Sequence, residues 1–180
     1  MDMKAKDGLY EGLVSAYSRE LYRFAYGLCG ERAQSEDLVQ ETFLRAWRAI
    51  DQLQDAKAAR AWLYTILRRE YARLFQRQRP EARDPADLDF AGCRGYDTST
   101  EAFVLRCALE RISDDYREPL LLQVIGGFSC GDIADMLGLT PATVMTRVSR
   151  ARRKLRELME RGEASRPRRK VARDNEGMPL

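Results

Sequence analysis

Histidine is missing altogether from these 180 residues, and cysteine is scarce: Cys29, Cys93, Cys107 and Cys130 stand far apart with no paired spacing. Without an imidazole, a paired-cysteine motif, a phosphate-cradling glycine loop or convergent carboxylates, the chain has no residue set for catalysis, and no cofactor or metal is expected. A disulfide framework is unexpected too, and the thiols are most simply reduced. The longest apolar stretch, Leu120 to Ile125, is interrupted by Gln123 and is far too short to span a bilayer. No signal peptide is recognisable either, so no membrane insertion is expected and the protein is placed in the cytoplasm. Glycine is sparse at 12 residues and no strand-like alternation stands out, while Ala, Leu and Arg are abundant. Together these features favour an all-α chain of one or two small domains with real cores.

What is present is unevenly distributed. The formal net charge is only +3, yet residues 144–180 hold 12 Lys or Arg against 5 acids, whereas residues 80–115 hold 4 against 9. That split suggests a nucleic-acid face and a separate acidic segment.

The stretch from Gly126 to Leu158 reads as two helices joined by a tight turn. Ser129 suits an N-cap and Asp132, three residues on, completes a capping-box-like start; a short helix to about Leu137 then turns Ile133, Ala134 and Leu137 inward. Gly138 ends it, and Thr140 followed by Pro141 restarts a helix with a cap and a proline at its first position. Along this second helix Val144, Val148, Ala151, Leu155 and Leu158 recur at helical spacing, leaving Met145, Thr146, Ser149, Arg150, Arg152 and Arg153 on the other faces. Such a helix suits a major groove, its first turns at base edges and its arginine-rich later turns on phosphates. A plain packing hairpin with solvated arginines is the competing account.

Upstream, Leu9 to Cys29 carries Leu13, Tyr17, Leu21, Phe24, Ala25 and Leu28 at three- and four-residue spacing, a helix stopped by Gly30. Ser35 is expected to cap the next helix, with Glu36 and Asp37 in its first turn and Leu38, Val39, Thr42, Phe43, Ala46, Trp47 and Ile50 buried. Its outer face carries Asp37, Gln40, Glu41, Leu44, Arg45 and Arg48, which is either a solvated surface or a protein interface. After a polar connection from Leu53 to Arg60, a third helix interleaves Trp62, Leu63, Ile66, Leu67, Tyr71, Leu74 and Phe75 with Arg68, Arg69, Arg73, Arg77 and Arg79. Arginine holds phosphates while rings stack on unpaired bases, so this pattern suits nucleic acid as readily as a core helix with a basic outer face.

Pro80 breaks the period, and the acidic stretch to about Thr100 reads as an interdomain linker. Helical signal returns with Phe103, Val104, Cys107, Ala108 and Leu109 and restarts after Ser113, with Pro119 tolerated near the helix start and Leu120, Leu121, Val124 and Ile125 packed on the helical hairpin. Beyond Arg161 nothing is left to bury, and a disordered basic tail is expected. The expected organisation is therefore 1–79 as a first domain, 80–100 as linker, 101–160 as a second domain and 161–180 as tail.

From Leu9 to Leu158 the chain resembles the bacterial RNA polymerase sigma factors of the extracytoplasmic-function group. SEDLVQETFLRAW resembles the family's clamp-binding helix, RAWLYTILRR the start of its promoter-melting helix, and GFSCGDIADMLGLTPATVMTRVSRARRKL its terminal helix-turn-helix. The resemblance implies a region 2-like domain, a region 4-like domain, and a protein that binds core RNA polymerase at the β′ clamp and β flap and directs transcription from promoter DNA. It also admits an anti-sigma factor as a further partner. By the same resemblance Asp37, Gln40 and Glu41 would contact the β′ coiled coil, and the loop Leu53 to Arg60 would capture a flipped base. Arg60, Trp62, Arg68, Arg69 and Arg73 would serve the minus-10 element, and Thr143, Met145, Thr146, Arg147, Ser149, Arg150 and Arg153 the minus-35 element. The chain departs from the family pattern at Arg69 and Arg73, where asparagine or aspartate is usual, and at Met145, where lysine or arginine is common. The alternatives are a sigma mimic that occupies an anti-sigma factor and a helix-turn-helix regulator that binds duplex DNA unaided.

Overall fold

The computed structural model describes residues 3–53, 55–78 and 100–164. Among them the regular structure is entirely helical: α1 (Met3–Cys29), α2 (Arg32–Ala49), α3 (Ala59–Gln78), α4 (Thr100–Glu110), α5 (Asp114–Val124), α6 (Cys130–Leu137) and α7 (Pro141–Ala164), with short 3-10 turns at Ile50–Gln52 and Ala56–Ala58. Of the expected linker, 80–100, residues 80–99 lie outside the described residues and Thr100 opens α4; residues 165–180 of the expected tail lie outside them too. The first four residues of the expected tail, 161–164, are helical, because α7 carries on through Ala164.

Helices α1, α2 and α3 form the first bundle, in which Leu21, Phe24, Leu38, Leu63, Tyr64 and Leu67 are fully buried. In the second unit α5 and α6 pack on α7 around Leu122, Ile133 and Val144. The two units are not separate: α1 packs against α4 and α5, and a single hydrophobic cluster runs through both.

The turn that shapes the helix-turn-helix follows its local chemistry closely. The Ser129 backbone N–H donates to Asp132 Oδ2 at 3.0 Å, while the Asp132 N–H donates to Ser129 Oγ at 3.1 Å, so two donors left over at the start of α6 are satisfied reciprocally. The Ser129 hydroxyl and N–H also hold the Asp132 carboxyl below the ordinary carboxylate range. Gly138 adopts φ 65° and ψ 38°, a left-handed conformation that a Cβ would strain, and the next helix starts at Pro141 with the Thr140 hydroxyl accepting from the Thr143 N–H at 3.2 Å.

Several expectations are corrected. Ser35 does not cap α2. The helix starts at Arg32 behind Glu31, and the buried Ser35 hydroxyl donates back to the Glu31 carbonyl at 2.5 Å, which puts Glu36 and Asp37 beyond the first turn. Helix α3 begins at Ala59, so Arg60 belongs to its first turn and not to the preceding loop. Leu74 is exposed, and Val124, expected against the hairpin, is 63% exposed where α5 ends and the chain turns away. Pro119 is the sixth residue of α5 and cannot donate to the Asp115 carbonyl. Arg147 of α7 supplies the missing donor, its Nη1 lying 3.3 Å from that oxygen.

Candidate functional site

Three surfaces carry the residues singled out by sequence. On α2, Asp37 and Gln40 are exposed and Leu44 stands 50% exposed beside them, an apolar side chain at the centre of a polar face. Glu41 is half-buried, its Oε1 3.0 Å from Arg45 Nε, which also lies 2.7 Å from the carboxylate of buried Glu70 on α3. Arg73 joins the same carboxylate at 3.1 Å. A chain of alternating charge thus runs from the outer face of α2 to α3, fixing how the two helices sit.

On α3 the five residues linked to the minus-10 element divide. Arg69 is exposed, and Arg73 is exposed but held by Glu70. Trp62 is half-buried and packs on the core. Arg60 donates from Nε to Glu20 Oε1 at 2.8 Å, an oxygen that also accepts from the Tyr64 hydroxyl at 2.8 Å. Burial first, then that hydrogen bond, push the Tyr64 phenol well above its ordinary range, while the Glu20 contact raises Arg60. Arg68 is drawn across to the second unit, its Nε 2.5 Å from Glu118 and its Nη1 2.6 Å from the Met136 carbonyl. Sequence reasoning missed Glu20, Glu118 and Phe128, since nothing local marks an acid or a loop phenylalanine as the partner of a helix 40 or more residues away.

On α7 the buried stripe of Val144, Val148, Ala151 and Leu158 turns Met145, Thr146, Ser149, Arg150, Arg152 and Arg153 outward, as the spacing required. Met145 is 62% exposed. The other residues expected at the minus-35 element are not equivalent. Thr143 is used in the cap with Thr140, the two hydroxyls 2.8 Å apart, and the Thr146 hydroxyl donates back to the Ala142 carbonyl at 2.9 Å. Arg147 is tied to Asp115 through both its carbonyl and its carboxylate, the latter at 3.6 Å. Arg150 reaches the Tyr116 hydroxyl at 3.4 Å, Arg152 donates to Gln123 at 2.8 Å, and Arg153 lies 3.9 Å from Glu157.

Among the described residues no group of three or more candidate metal ligands comes together, and burial pushes the Cys29 thiol up to about 11. No described helix is long and apolar enough to cross a membrane.

Residues 13–81 match the family model for Sigma-70 region 2, and residues 102–155 match that for Sigma-70, region 4. Over 161 residues the chain is 37% identical to the ECF RNA polymerase sigma factor EcfG of Rhodopseudomonas palustris, covering 87% of this chain and 88% of that one. The chain belongs to the extracytoplasmic-function sigma factors. It is also 32% identical over 166 residues to the sigma factor SigL of Mycobacterium tuberculosis, covering 84% of this chain and 89% of the relative. Among solved structures, the sigma factor RpoE from Bartonella quintana, in complex with the anti-sigma factor NepR, superposes with a TM-score of 0.65 at 30% identity over 88% of this chain and 98% of that one. CnrH, in complex with the cytosolic domain of CnrY, superposes with a TM-score of 0.62 at 26% identity over 84% and 88%. As a sigma factor the protein binds core RNA polymerase and directs promoter-specific transcription initiation, in a family of initiation factors that are not enzymes. A mimic or a stand-alone regulator is not favoured, because the named sigma factors align with both units of the chain.

Proposed function

We propose that the two units divide promoter recognition between them, residues 1–79 binding the β′ clamp and opening the minus-10 element and residues 101–160 reading the minus-35 element beside the β flap. The sigma factor would do this in the cytoplasm. The observation that carries the reading is the sidedness of α7: its apolar stripe is sealed in the core while Met145, Thr146, Ser149 and Arg150 line the opposite surface in the first turns of the second helix of the hairpin. Asp37, Gln40 and Glu41 around exposed Leu44 form the clamp surface on α2. An anti-sigma factor is proposed as a further partner, on the ground that both superposed relatives are in complexes with other proteins, one of them a named anti-sigma factor.

Within the minus-35 set, Arg150 is assigned base reading and Arg153 phosphate. Met145 offers only apolar contact, for instance to a thymine methyl, and the hydroxyls of Thr143 and Thr146 are already used within the helix. Arg150 can form a bidentate guanine contact worth about 1–3 kcal/mol. Selection of preferred minus-35 sequences by holoenzyme should therefore show Arg150→Ala losing preference at one base pair, and Met145→Arg gaining a new one. Uniform weakening across all sequences by Arg150→Ala would assign it to the backbone.

Within the minus-10 set, the exposed Arg69 is the phosphate contact most accessible from solution. Arg69→Ala is expected to reduce the slope of log affinity against log salt, for holoenzyme on promoter DNA, by about one. An unchanged slope would make Arg69 part of a merely solvated surface.

A further inference from the structure

Arg147 stands three residues after Val144 and four before Ala151, both fully buried, so its stem leaves α7 along the seam with α5. Its side chain is 28% exposed, whereas Met145, Thr146, Ser149 and Arg150 are open to solvent. Across the seam the Arg147 Nη1 lies 3.3 Å from the Asp115 carbonyl oxygen and 3.6 Å from Asp115 Oδ1. One turn further along α7, Arg150 Nη1 reaches the Tyr116 hydroxyl at 3.4 Å. Two neighbouring residues of the first turn of α5 thus meet two arginines differently: Asp115 draws Arg147 into the seam, and Tyr116 touches Arg150 only at its tip.

The Asp115 carbonyl is open to this contact because of Pro119. In an α-helix that oxygen accepts from the N–H four residues on, and proline has none, while its ring crowds the carbonyl it fails to satisfy. An alanine at position 119 would close the ordinary bond, and Arg147 would then have from Asp115 only an exposed carboxylate, a pair that contributes little by itself. Apolar packing of α5 on α7 is non-directional, and where the first turns of the two helices face each other lies a cleft of about 320 Å3, bounded by Tyr116, Thr146, Arg147 and Arg150. The rotation of α7 about its own axis at this end therefore depends on directional contacts across the cleft. Arg147 makes two of them.

We infer that Arg147 is the positioning residue of the recognition helix and not a contact to promoter DNA: Pro119 leaves a carbonyl that drafts it into the seam, and the tether sets how α7 presents Met145, Thr146 and Arg150 to the minus-35 element. Arg147 thereby leaves the set of base and phosphate contacts that the resemblance implied. Asp115 and Pro119, two residues of α5, join those that govern promoter choice. The inference rests on the reading of α7 as the minus-35 helix proposed above.

The test uses four full-length proteins, wild type, Arg147→Ala, Pro119→Ala and the double variant, with circular dichroism to verify folding. In melts of the free protein, Arg147→Ala is expected to lower Tm by about 3 °C, and by less than about half as much once Pro119→Ala has returned the missing N–H. In holoenzyme, Arg147→Ala is expected to cut the ratio of affinities for the preferred and a singly mismatched minus-35 sequence about fivefold, with the slope of log affinity against log salt unchanged. A slope reduced by about one makes Arg147 a phosphate contact and overturns the inference. Equal losses of Tm in the two backgrounds overturn the drafting by Pro119. An unchanged ratio overturns the positioning role where Arg150→Ala does change it, and where neither variant changes it the reading of α7 falls as well. The melts need neither polymerase nor DNA, so failure of the tether and failure of the minus-35 assignment are told apart.

Discussion

Reversing both acids on the outer face of α2, Asp37→Arg with Glu41→Arg, is expected to weaken binding to core RNA polymerase about 100-fold and leave folding intact. Asp37 is exposed and Glu41 half-buried, and neither belongs to the core cluster that α2 shares with α1 and α3. Among the described residues the internal contact at stake is the Glu41 to Arg45 pair, and Arg45 keeps its second partner, Glu70, at 2.7 Å. Close charge pairs across an interface couple by about 1.5–7 kcal/mol, and a 100-fold change is about 2.7 kcal/mol, so two reversals need supply only modest coupling each. Leu44, 50% exposed in the midst of these residues, would provide the apolar centre that such a polar rim surrounds. The measurement is competition with labelled wild-type protein for core polymerase, alongside a thermal melt. Affinity within threefold of wild type, in a protein melting at the same temperature, would remove α2 from the polymerase interface.

Truncating Ile133 to alanine should produce the largest loss of stability among single changes in the helix-turn-helix. Ile133 is fully buried in α6, the short helix that packs on both α5 and α7. An eight-residue helix has too little hydrogen bonding of its own to persist alone, so its place depends on that side chain. Removing it costs about 2–5 kcal/mol, the transfer energy of the lost methyl and methylene groups plus the cavity they leave. At about 2–4 °C per kcal/mol for a chain of this size, the melting temperature should fall by on the order of 10 °C. Calorimetry would register this, and because one cluster joins both units, the wild type should melt in a single transition. A shift below about 2 °C would mean that α6 is held chiefly by its capping box and by Arg68.

Much of the fold was written locally. Ser129, Asp132, Gly138, Thr140 and Pro141 each determine backbone geometry or satisfy a helix-end donor within four residues, so the helix ends and the turn of the helix-turn-helix were legible without tertiary information. The stripe from Val144 to Leu158 was equally legible, because helical spacing alone decides which residues share a face. Ser35 shows where local reading fails: a serine hydroxyl bonds equally well to a forward N–H as a cap or to a carbonyl one turn back, and only burial among packed helices selected the second.

By itself, then, the sequence determined the seven-helix, strand-free build of the described chain, the turn between α6 and α7, and the outward set of recognition residues, because each depends on periodicity, capping or the conformational range of one residue. Only the tertiary structure decided which outward residues are free. Arg147 was claimed by the carbonyl that Pro119 leaves without a donor, and Arg68 by Glu118 and the end of α6. Arginine carries five donors on a long stem and meets an acceptor wherever the chain brings one within reach. The partners of Arg147 and Arg68 lie on other helices, 32 to 68 residues away, at separations where neither spacing nor composition carries a signal.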